Sequence, residues 1–472
     1  MTLPSLSDYI LWVQNWSIDP AKIISQCQQK ASLNELHSRI THTPEYVWQH
    51  QSSFIDRPLC AAPLGIKDII MTQGILTTCW SKILAGYTPN YSATCFSLLE
   101  KAWWLMIWKN SMDEFAMGSS WEHCAWWPTL NPYDHSRVSG WSSSWSAASV
   151  ANEECLGALG TDTGWSVRLP ASFCGIVGFK PTYGHISRYG VQAMSNSLDQ
   201  VWVFGKLVND ARILYHTIRW FDPMDMTSSP SSLYSSSWNK KTNYRCCVFN
   251  EFLGNGVDPE IKEITLKTIQ ILQDQGIQVE MIDFPLIKHL VATYYIICPA
   301  EVMTNMAKFH GLRYGLQDNT ELFDSFKEYS TFIRSQGFGQ EVKRRLLIGA
   351  HVLSSGFQDQ YYHKAIAIVE HSKNVYHTLF DQYDAIISPT APLWPWKIGW
   401  HTHSPLSDYL ADIYTIPANL LWAPALSLPM GFSTQHETKL PVWLHLMGAP
   451  HNDELLLDLA EKIENTLSTY TY

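Results

Sequence analysis

The first fifty residues are mostly polar, and their few apolar residues recur at the spacing of amphipathic helices. Ile10 and Val13 form one such pair, and Leu33 and Leu36 form another. Side chains three or four positions apart lie on the same face of a helix, so these pairs mark faces that pack against a larger body. We therefore predict two or three helices here, which form an N-terminal helical cap over residues 1–57.

From Pro58 onward the pattern changes to short apolar runs separated by turn-rich segments. The runs LGIKDII, LMIW and GALGTDT have the length of buried strands, and helical stretches such as ATCFSLLEKA lie between them. The same alternation returns in DPEIKEITLKTIQILQDQGIQVEMIDF and YDAIISPTAP. Alternating helices and strands are typical of an α/β fold, and we predict one domain with a core over residues 58–221 that continues over residues 246–472.

Serine and proline are frequent between these two parts of the core. Residues 222–245 read DPMDMTSSPSSLYSSSWNKKTNYR, without helical or strand periodicity. Such clusters of turn-forming residues are typical of loops. We predict a Ser-rich surface linker here.

Composition and charge narrow the class of protein. Apolar residues make up 46% of the 472 residues and charged residues 16%, with a formal net charge of -10. This balance suits a compact protein and opposes a dominant nucleic-acid-binding role, which needs a basic surface. No basic segment precedes the first apolar stretch, and no run of about 18 apolar residues occurs. We predict a cytoplasmic protein that does not bind a membrane.

The cysteines and histidines do not follow the spacing of a metal site. The ten cysteines lie far apart and include no C-x-x-C pair, which opposes both a zinc ribbon and a disulfide framework. His401 and His403 form an H-x-H pair without a third ligand in view, so a surface loop explains them better. We therefore predict buried thiols and no metal ion on this chain.

Residues 138–170 have the most unusual pattern, VSGWSSSWSAASVANEECLGALGTDTGWSVRLP. Small hydroxyl residues form two tight loops about 24 positions apart, and such loops can hold a nucleophile and aim backbone N–H groups at an oxyanion. A Ser-rich linker is the alternative, although a helical stretch and the strand-like ALGTD join the two loops. The pattern alone leaves both interpretations open.

The two loops resemble the hallmark of the amidase signature family. That family has a Gly-Gly-Ser-Ser-Gly-Gly-Ser loop followed by Asp-x-Gly-Gly-Ser-[Ile/Val]-Arg-x-Pro-Ala, and this chain has GWSSSWS at 140–146 and DTGWSVRLPA at 162–171. The upstream APLGIKDII is similar to the family's lysine motif. The resemblance runs from about Pro58 to the C-terminus and implies Lys67, Ser142 and Ser166 as catalytic residues. It also implies a large central mixed β-sheet covered by helices on both faces.

Other motifs are most similar to the glutaminase subunits of tRNA-dependent amidotransferases within this family. This likeness implies that glutamine is hydrolysed and that ammonia passes to partner subunits B and C. It implies no cofactor on this chain, ATP and magnesium at the partner subunit, and misacylated Glu-tRNA or Asp-tRNA bound mainly by the partner. The motifs are NSMDEFAMGSS, ASFCGIVGFKPTYGHISRYG, SLDQ, EVKRRLLIGAHVLSSGFQDQYY, DAIISPTAP and DIYTIPANL.

The resemblance assigns a chemical task to each residue type. A serine hydroxyl is a weak nucleophile, and a free lysine with a pKa near 10.4 is protonated, so Lys67 has to be desolvated to act as a base. Ser142 then relays the proton between Lys67 and Ser166, and the family holds this serine in a cis peptide. Backbone N–H groups form the predicted oxyanion hole. They belong to Thr163, Gly164, Trp165 and Ser166.

Glutamine recognition needs an anionic partner for the α-amine and a cationic one for the α-carboxylate. By similarity we predict Tyr295, Arg345 and Asp412 as substrate-binding residues. Arg344 and Tyr294 are adjacent rivals that the sequence leaves open. Asp162 and Arg168 are expected to shape the nucleophile loop rather than to contact the substrate.

Tryptophan stands where the family pattern has glycine. The chain has 21 Trp and only 25 Gly. Glycine serves in such loops because it tolerates positive φ and close backbone approach, and an indole does neither. The positions are 108, 127, 141, 145, 165, 202, 422 and 443, together with 80 and one of 103 and 104.

Two explanations account for these tryptophans. One is an inactive amidase-like scaffold, which leaves unexplained why Lys67, Ser142 and Ser166 are kept and why one residue type replaces glycine throughout. The other is a gene in which UGA encodes glycine but is translated as tryptophan, and this explanation restores glycine to about 7% of the chain. A stand-alone amidase that acts on another small amide also stays open, because the Lys-Ser-Ser core does not choose a substrate.

Overall fold

An eleven-stranded β-sheet is the centre of the computed structural model, which describes residues 3–33, 36, 39–42, 57–118, 129–234, 241–254, 256–399 and 412–470. The sheet order is β1-β3-β2-β4-β6-β5-β10-β11-β9-β7-β8. The strands are β1 (Arg39–His42), β2 (Pro63–Lys67), β3 (Leu105–Asn110), β4 (Gly157–Asp162), β5 (Val177–Lys180), β6 (Gln200–Gly205), β7 (Arg245–Phe249), β8 (Gln278–Ile282), β9 (Ala385–Pro389), β10 (Ala425–Phe432) and β11 (Pro441–Gly448).

Parallel and antiparallel pairs alternate in blocks across this sheet. Strand β2 runs parallel to β3 and β4, and β7 runs parallel to β8 and β9, whereas the pairs between β4 and β9 are antiparallel. Every residue of β2, β3, β4 and β6 is buried. Since successive side chains point to opposite faces, both faces of these strands are covered. The predicted α/β fold with a mixed central sheet is confirmed.

Thirteen α-helices lie among the described residues. Local sequence explains their ends: Asp258 accepts hydrogen bonds from the backbone N–H groups of Glu260 and Ile261, and Pro259 occupies the first turn of the helix that follows. The helices are α1 (Leu6–Gln14), α2 (Pro20–Leu33), α3 (Thr94–Lys101), α4 (Ser144–Ala151), α5 (Arg168–Cys174), α6 (Val208–Ile218), α7 (Pro259–Asp274), α8 (Ile287–Met306), α9 (Phe326–Gly337), α10 (Gln340–Val352), α11 (Tyr362–Phe380), α12 (Ile416–Leu420) and α13 (Asp453–Ser468).

The N-terminal segment contains helices and one strand. Helix α1 buries Ile10 and Val13, as its apolar spacing predicts, and the Ser7 backbone N–H and hydroxyl both donate to Asp210 at 2.8 and 2.9 Å. Strand β1 pairs antiparallel with β3 at the edge of the sheet. Its four residues, RITH, do not form an apolar run, so the sequence pattern did not predict it.

The Ser-rich segment 222–245 is tied to the core at its beginning. Asp222 accepts hydrogen bonds from the hydroxyls of Thr94 and Ser187, at 2.5 and 2.6 Å. Strand β7 begins at Arg245, the last residue of the predicted linker. Residues 235–240 lie outside the described part of the chain.

The parallel pair β2 and β4 brings the predicted catalytic motifs together. Lys67 is the last residue of β2 and Asp162 the last of β4, and the carboxyl ends of parallel strands meet at the same edge of a sheet. Helix α4 packs against both strands, so the Ser142 loop that precedes it lies at this edge too. The fold thus places three distant segments side by side.

Candidate active site

Lys67 is buried in a cluster of hydroxyl groups at the end of β2. Its Nζ lies 2.8 Å from Ser142 Oγ and 2.7 Å from Ser143 Oγ. It also lies 3.0 Å from Thr161 Oγ1 and 3.2 Å from the Thr161 carbonyl oxygen. The structure therefore brings the predicted Lys67 and Ser142 into direct hydrogen-bond contact.

Burial changes the proton affinity of this lysine. The Lys67 side chain is fully buried, and loss of hydration lowers its pKa to about 7, although the carboxylates of Asp113, Asp162 and Asp199 act in the opposite direction. A lysine with this pKa carries a free lone pair in a large fraction of molecules near neutral pH. Lys67 is therefore desolvated, as a lysine has to be to act as a general base.

The nucleophile loop at 162–168 lies directly against the Ser142 loop. The Ser143 backbone N–H donates to the Ser166 carbonyl oxygen at 3.2 Å. Asp162 accepts a hydrogen bond from the Val167 N–H at 3.0 Å, which closes the loop on itself. The structure thereby brings the loops of Ser142 and Ser166 together, with Ser166 6% exposed.

Residues from the C-terminal part of the chain support this loop. Asn419 donates to Asp162 Oδ1 at 2.9 Å, and the guanidinium of Arg168 donates to the Thr415 and Gly164 carbonyl oxygens at 2.8 and 2.9 Å. These contacts agree with the expectation that Asp162 and Arg168 shape the loop. Both side chains are fully buried.

The predicted oxyanion hole consists of backbone donors at the turn before α5. No backbone N–H of residues 163–166 donates a hydrogen bond to any residue that the structure describes. The Thr163 side chain is held by Asp199, with 2.7 Å between the hydroxyl and the carboxylate. The N–H groups of Thr163, Gly164, Trp165 and Ser166 are thus free to stabilise a developing oxyanion.

The expected cis serine is not seen. All peptide bonds of the described residues, including those around Ser142, are trans. The side chain of Trp141 is fully buried, with its ring centroid 5.4 Å from that of Trp165 and 6.0 Å from that of Trp396. A buried indole thus stands directly before Ser142, where the family pattern has glycine.

The predicted glutamine-binding residues are held by polar contacts within the protein. The Tyr295 hydroxyl donates to Asp412 Oδ2 at 2.9 Å. Arg345 is 5% exposed and donates to Glu341 at 2.7 Å and to the Gly118 carbonyl oxygen at 3.3 Å. Its rival Arg344 also binds Glu341, but the Arg344 side chain is 36% exposed.

Trp165, the residue before Ser166, packs against Tyr295 and its rival Tyr294. Its ring centroid lies 4.9 Å from that of Tyr294 and 5.8 Å from that of Tyr295, and the side chain is 3% exposed. Both tyrosines thus contact the residue before Ser166, and the choice between them stays open. A cavity of about 980 Å³ lies elsewhere, and its wall includes Tyr183 and Lys373 but no triad residue.

Several of the tryptophans have unsatisfied indole N–H groups. An indole buried without a hydrogen-bond acceptor loses its hydration without compensation, which costs roughly 1–3 kcal/mol. Within the described residues, no acceptor meets the buried Nε1 of Trp104, Trp108, Trp141, Trp145, Trp165 or Trp202.

Other tryptophans have a backbone conformation that favours glycine. Trp80, Trp103 and Trp422 have φ of +53°, +58° and +60°. Trp103 directly follows the C-cap residue of α3, a position where glycine is common. Trp104 is not among the residues with positive φ, so the backbone favours 103 as the glycine position. Trp127 lies outside the described residues.

Sequence reasoning missed two residues of the Lys67 cluster, Ser143 and Thr161. Ser143 was one of three consecutive serines, and Thr161 was part of an apolar strand. Within the described part of the chain, no three histidine, cysteine or acidic side chains are grouped so as to hold a metal ion, and no helix is long and apolar enough to cross a membrane. His401, His403 and Cys124 fall outside the described ranges, and the nine described cysteines are buried free thiols.

Several named proteins are similar to this chain in sequence. The chain is 42% identical over 418 residues to the A subunit of the glutamyl-tRNA(Gln) amidotransferase from Desulfatibacillum aliphaticivorans, and the match covers 88% of this chain and 85% of that protein. A protein of the same name from Thermodesulfovibrio yellowstonii is 43% identical over 412 residues, with 86% and 84% covered.

Solved structures share the fold as well. A crystal structure of the A subunit of the glutamyl-tRNA(Gln) amidotransferase from Thermotoga maritima superposes with a TM-score of 0.78 at 33% identity, over 98% of this chain and 94% of that one. A 6-aminohexanoate cyclic dimer hydrolase superposes with a TM-score of 0.82 at 20% identity, over 98% and 97%, and shares the fold alone. The family model described as Amidase matches residues 25–457. The chain therefore belongs to the amidase family.

Proposed function

We propose that this chain is the glutaminase subunit of a tRNA-dependent amidotransferase. The observation that carries the proposal is the buried Lys67 in contact with Ser142, one loop away from Ser166. The names of the relatives support the substrate, because the A subunits of glutamyl-tRNA(Gln) amidotransferases are about 42% identical to this chain over most of its length. The side chains of Tyr295, Arg345 and Asp412 offer groups that match the α-carboxylate and α-amine of glutamine.

Attack on the glutamine side chain begins with a proton transfer. Neutral Lys67 takes a proton from Ser142, which takes the proton of Ser166 as the Ser166 oxygen bonds to the amide carbon. The carbonyl oxygen becomes an oxyanion, which the backbone N–H groups of residues 163–166 stabilise. One such donor commonly lowers the barrier by about 3–4 kcal/mol.

Collapse of this intermediate breaks the carbon–nitrogen bond. The amide nitrogen leaves as ammonia with the proton returned from Lys67 through Ser142, and a glutamyl ester remains on Ser166. Water then attacks the ester carbon, while Lys67 accepts the water's proton and returns it to Ser166. Glutamate is released, and the three catalytic residues regain their starting protonation.

The released ammonia is consumed by a partner in this proposal. Subunits B and C complete a heterotrimer in the cytoplasm, and the partner subunit binds ATP, magnesium and the misacylated tRNA. Activated Glu-tRNA(Gln) or Asp-tRNA(Asn) then reacts with ammonia to give Gln-tRNA(Gln) or Asn-tRNA(Asn). This chain supplies no cofactor to the reaction.

The test measures glutamate release from glutamine by the full chain, with glycine at 141, 145 and 165, co-purified with subunits B and C, because the chain with an indole at 165 is expected to be badly impaired. We expect activity that rises when tRNA and ATP are added, and a loss of at least about 10⁴-fold in Ser166→Ala. Ser144→Ala is the matched control, because Ser144 begins α4 directly after the Ser142 loop and its hydroxyl has no hydrogen-bond partner among the described residues. Hydrolysis of other small amides without response to the partner would favour a stand-alone amidase. No Ser166-dependent hydrolysis, even with glycine at 141, 145 and 165, would favour an inactive scaffold.

A further inference from the structure

Asp113 is a buried acid near the triad that the mechanism above does not use. It follows β3, whose last residue, Asn110, is in register with Lys67 of β2. The side chain is 0% exposed. Neither carboxylate oxygen has a hydrogen-bond partner among the residues that the structure describes. An unpaired buried carboxylate is costly, so its presence calls for a functional explanation.

The local backbone holds this carboxylate in a constrained position. Phe115 and Ala116, two and three residues later, have φ of +49° and +59°, and strain of this kind concentrates at functional sites. A Cβ on Gly118 would lie 2.1 Å from Asp113 Oδ2, so only glycine fits beside the carboxylate. The same Gly118 accepts a hydrogen bond from Arg345.

Two functional groups define the surroundings of Asp113. Lys67 and Arg345 both lower the pKa of Asp113, while Glu341 and burial raise it, and burial dominates. In turn, Asp113 raises the pKa of Lys67 more than Asp162, Asp199 or Cys79 does. Geometry links Asp113 to both groups: it lies three residues after Asn110, the register partner of Lys67, and its carboxylate lies beside Gly118, whose carbonyl oxygen accepts a hydrogen bond from Arg345.

We propose that Asp113 is a substrate-binding residue whose carboxylate accepts a hydrogen bond from the side-chain amide nitrogen of glutamine, which rests on the glutaminase function proposed above. The amide N–H₂ group supplies the donor that the protein does not. The α-amine of glutamine has its own acidic partner in this scheme, Asp412, which accepts a hydrogen bond from Tyr295.

The same contact separates substrate from product. Glutamate carries a carboxylate where glutamine has its amide, so Asp113 repels the product and attracts the substrate. Asp113→Asn removes the negative charge and keeps the shape of the side chain. This substitution is expected to weaken the binding of glutamine and to strengthen the binding of glutamate. A purely structural defect would weaken the binding of both.

The experiment measures the Kd of glutamine and of glutamate by calorimetry. The parent is the full chain, in complex with its partner subunits, with Trp165→Gly to open the pocket and Ser166→Ala to prevent turnover. We expect Asp113→Asn to lower the preference for glutamine over glutamate by at least about 10-fold. Glu114→Gln is the matched control, because the neighbouring Glu114 is buried but bound to Ser81 and Gly339.

The outcomes separate this inference from the proposed function. A parent that binds no glutamine contradicts the glutaminase proposal itself. A parent that binds glutamine, with an unchanged preference in Asp113→Asn, contradicts the role of Asp113 alone. The melting temperature gives a second reading, since loss of an unpaired carboxylate should leave the fold as stable or more so. A fall in melting temperature with equal loss of both ligands would overturn the inference.

Discussion

Two layers of the active site meet along the same loops and differ in how their polar atoms are satisfied. In the inner layer, Lys67 Nζ has four oxygen neighbours within 3.2 Å. In the outer layer, Trp141, Trp145 and Trp165 bury their indole N–H groups without an acceptor in the described part of the chain. The inner layer is consistent with a working enzyme, and the outer layer is not.

This difference indicates that the tryptophans of the outer layer did not arise through a general loss of function. A decaying enzyme would lose its catalytic hydroxyls as readily as its loop glycines, yet the hydroxyl cluster is complete. Three of the replacements, at 80, 103 and 422, fall on positions whose positive φ favours glycine. We therefore prefer the explanation that UGA encodes glycine in this gene, and the predictions below test the contrast between the layers.

The largest effect is expected at the indole next to the nucleophile. Trp165→Gly removes a buried ring that packs against Tyr294 and Tyr295 and gives the predicted oxyanion loop the glycine of the family pattern. Glutaminase activity should rise by about 100-fold or more, the scale of one oxyanion donor. The assay compares kcat/KM for glutamine in the complex with the partner subunits.

The control for this change is Trp12→Ala, which removes an exposed indole from α1 far from the triad. It should leave kcat/KM unchanged. If Trp165→Gly is no more active than the unaltered chain, the inference that Trp165 obstructs the site is wrong. Sequencing of the gene gives an independent answer, because UGG codons at 141, 145 and 165 would exclude the UGA explanation.

The inner layer is tested by the pH dependence of kcat/KM. Lys67 must be neutral to accept a proton, and its pKa is lowered to about 7 by burial, against the carboxylates of Asp113, Asp162 and Asp199 and the thiol of Cys79. Activity should thus fall tenfold per pH unit below about pH 7 and level off above it. A flat profile between pH 5 and 9 would contradict Lys67 as the base. Lys67→Arg should be inactive throughout, because arginine stays protonated.

The smallest effect concerns stability at a surface position. Trp16 is not among the positions where the family pattern has glycine. It directly follows the C-cap residue of α1, has φ of +56° and is 78% exposed. Trp16→Gly should stabilise the fold by about 1 kcal/mol, because glycine adopts this conformation without strain. Thermal unfolding measures the change.

Trp12→Gly provides the matched control within the same helix. Trp12 is also exposed but has a helical conformation within α1, where glycine costs up to about 1 kcal/mol. The two substitutions should shift the melting temperature in opposite directions. A decrease for both would mean that the left-handed conformation at Trp16 is not strained.

The sequence predicted the parts of the site that depend on spacing within a motif. Lys67 and Ser142 are in contact as the resemblance implied. The alternation of apolar runs with helices predicted the α/β fold, and the resemblance implied its mixed sheet. The strand β1 could not be predicted, since a short polar edge strand lacks periodicity. Ser143 and Thr161 were not predicted as partners of Lys67, because the register of β2 against β4 decides which hydroxyls face the amine.

The role of Asp113 was equally invisible in the sequence. An acid next to Glu114 in NSMDEFAMGSS could have been a surface residue. Asp113 stands out because its side chain is buried and its carboxylate has no hydrogen-bond partner among the described residues. Only the three-dimensional arrangement shows these two facts. The same holds for the choice between Arg344 and Arg345, where one side chain is buried and its neighbour is partly exposed.

The sheet order has a consequence for how the enzyme is made. Strand β5 pairs with β10, and the nucleophile loop is braced by Thr415 and Asn419, about 250 positions later in the chain. Pairings this distant in sequence form late in folding and expose the unfinished sheet in the meantime. A ribosome-bound chain that ends before residue 415 therefore has its serines but cannot brace the loop that carries Ser166, so hydrolysis waits for the last segment to emerge.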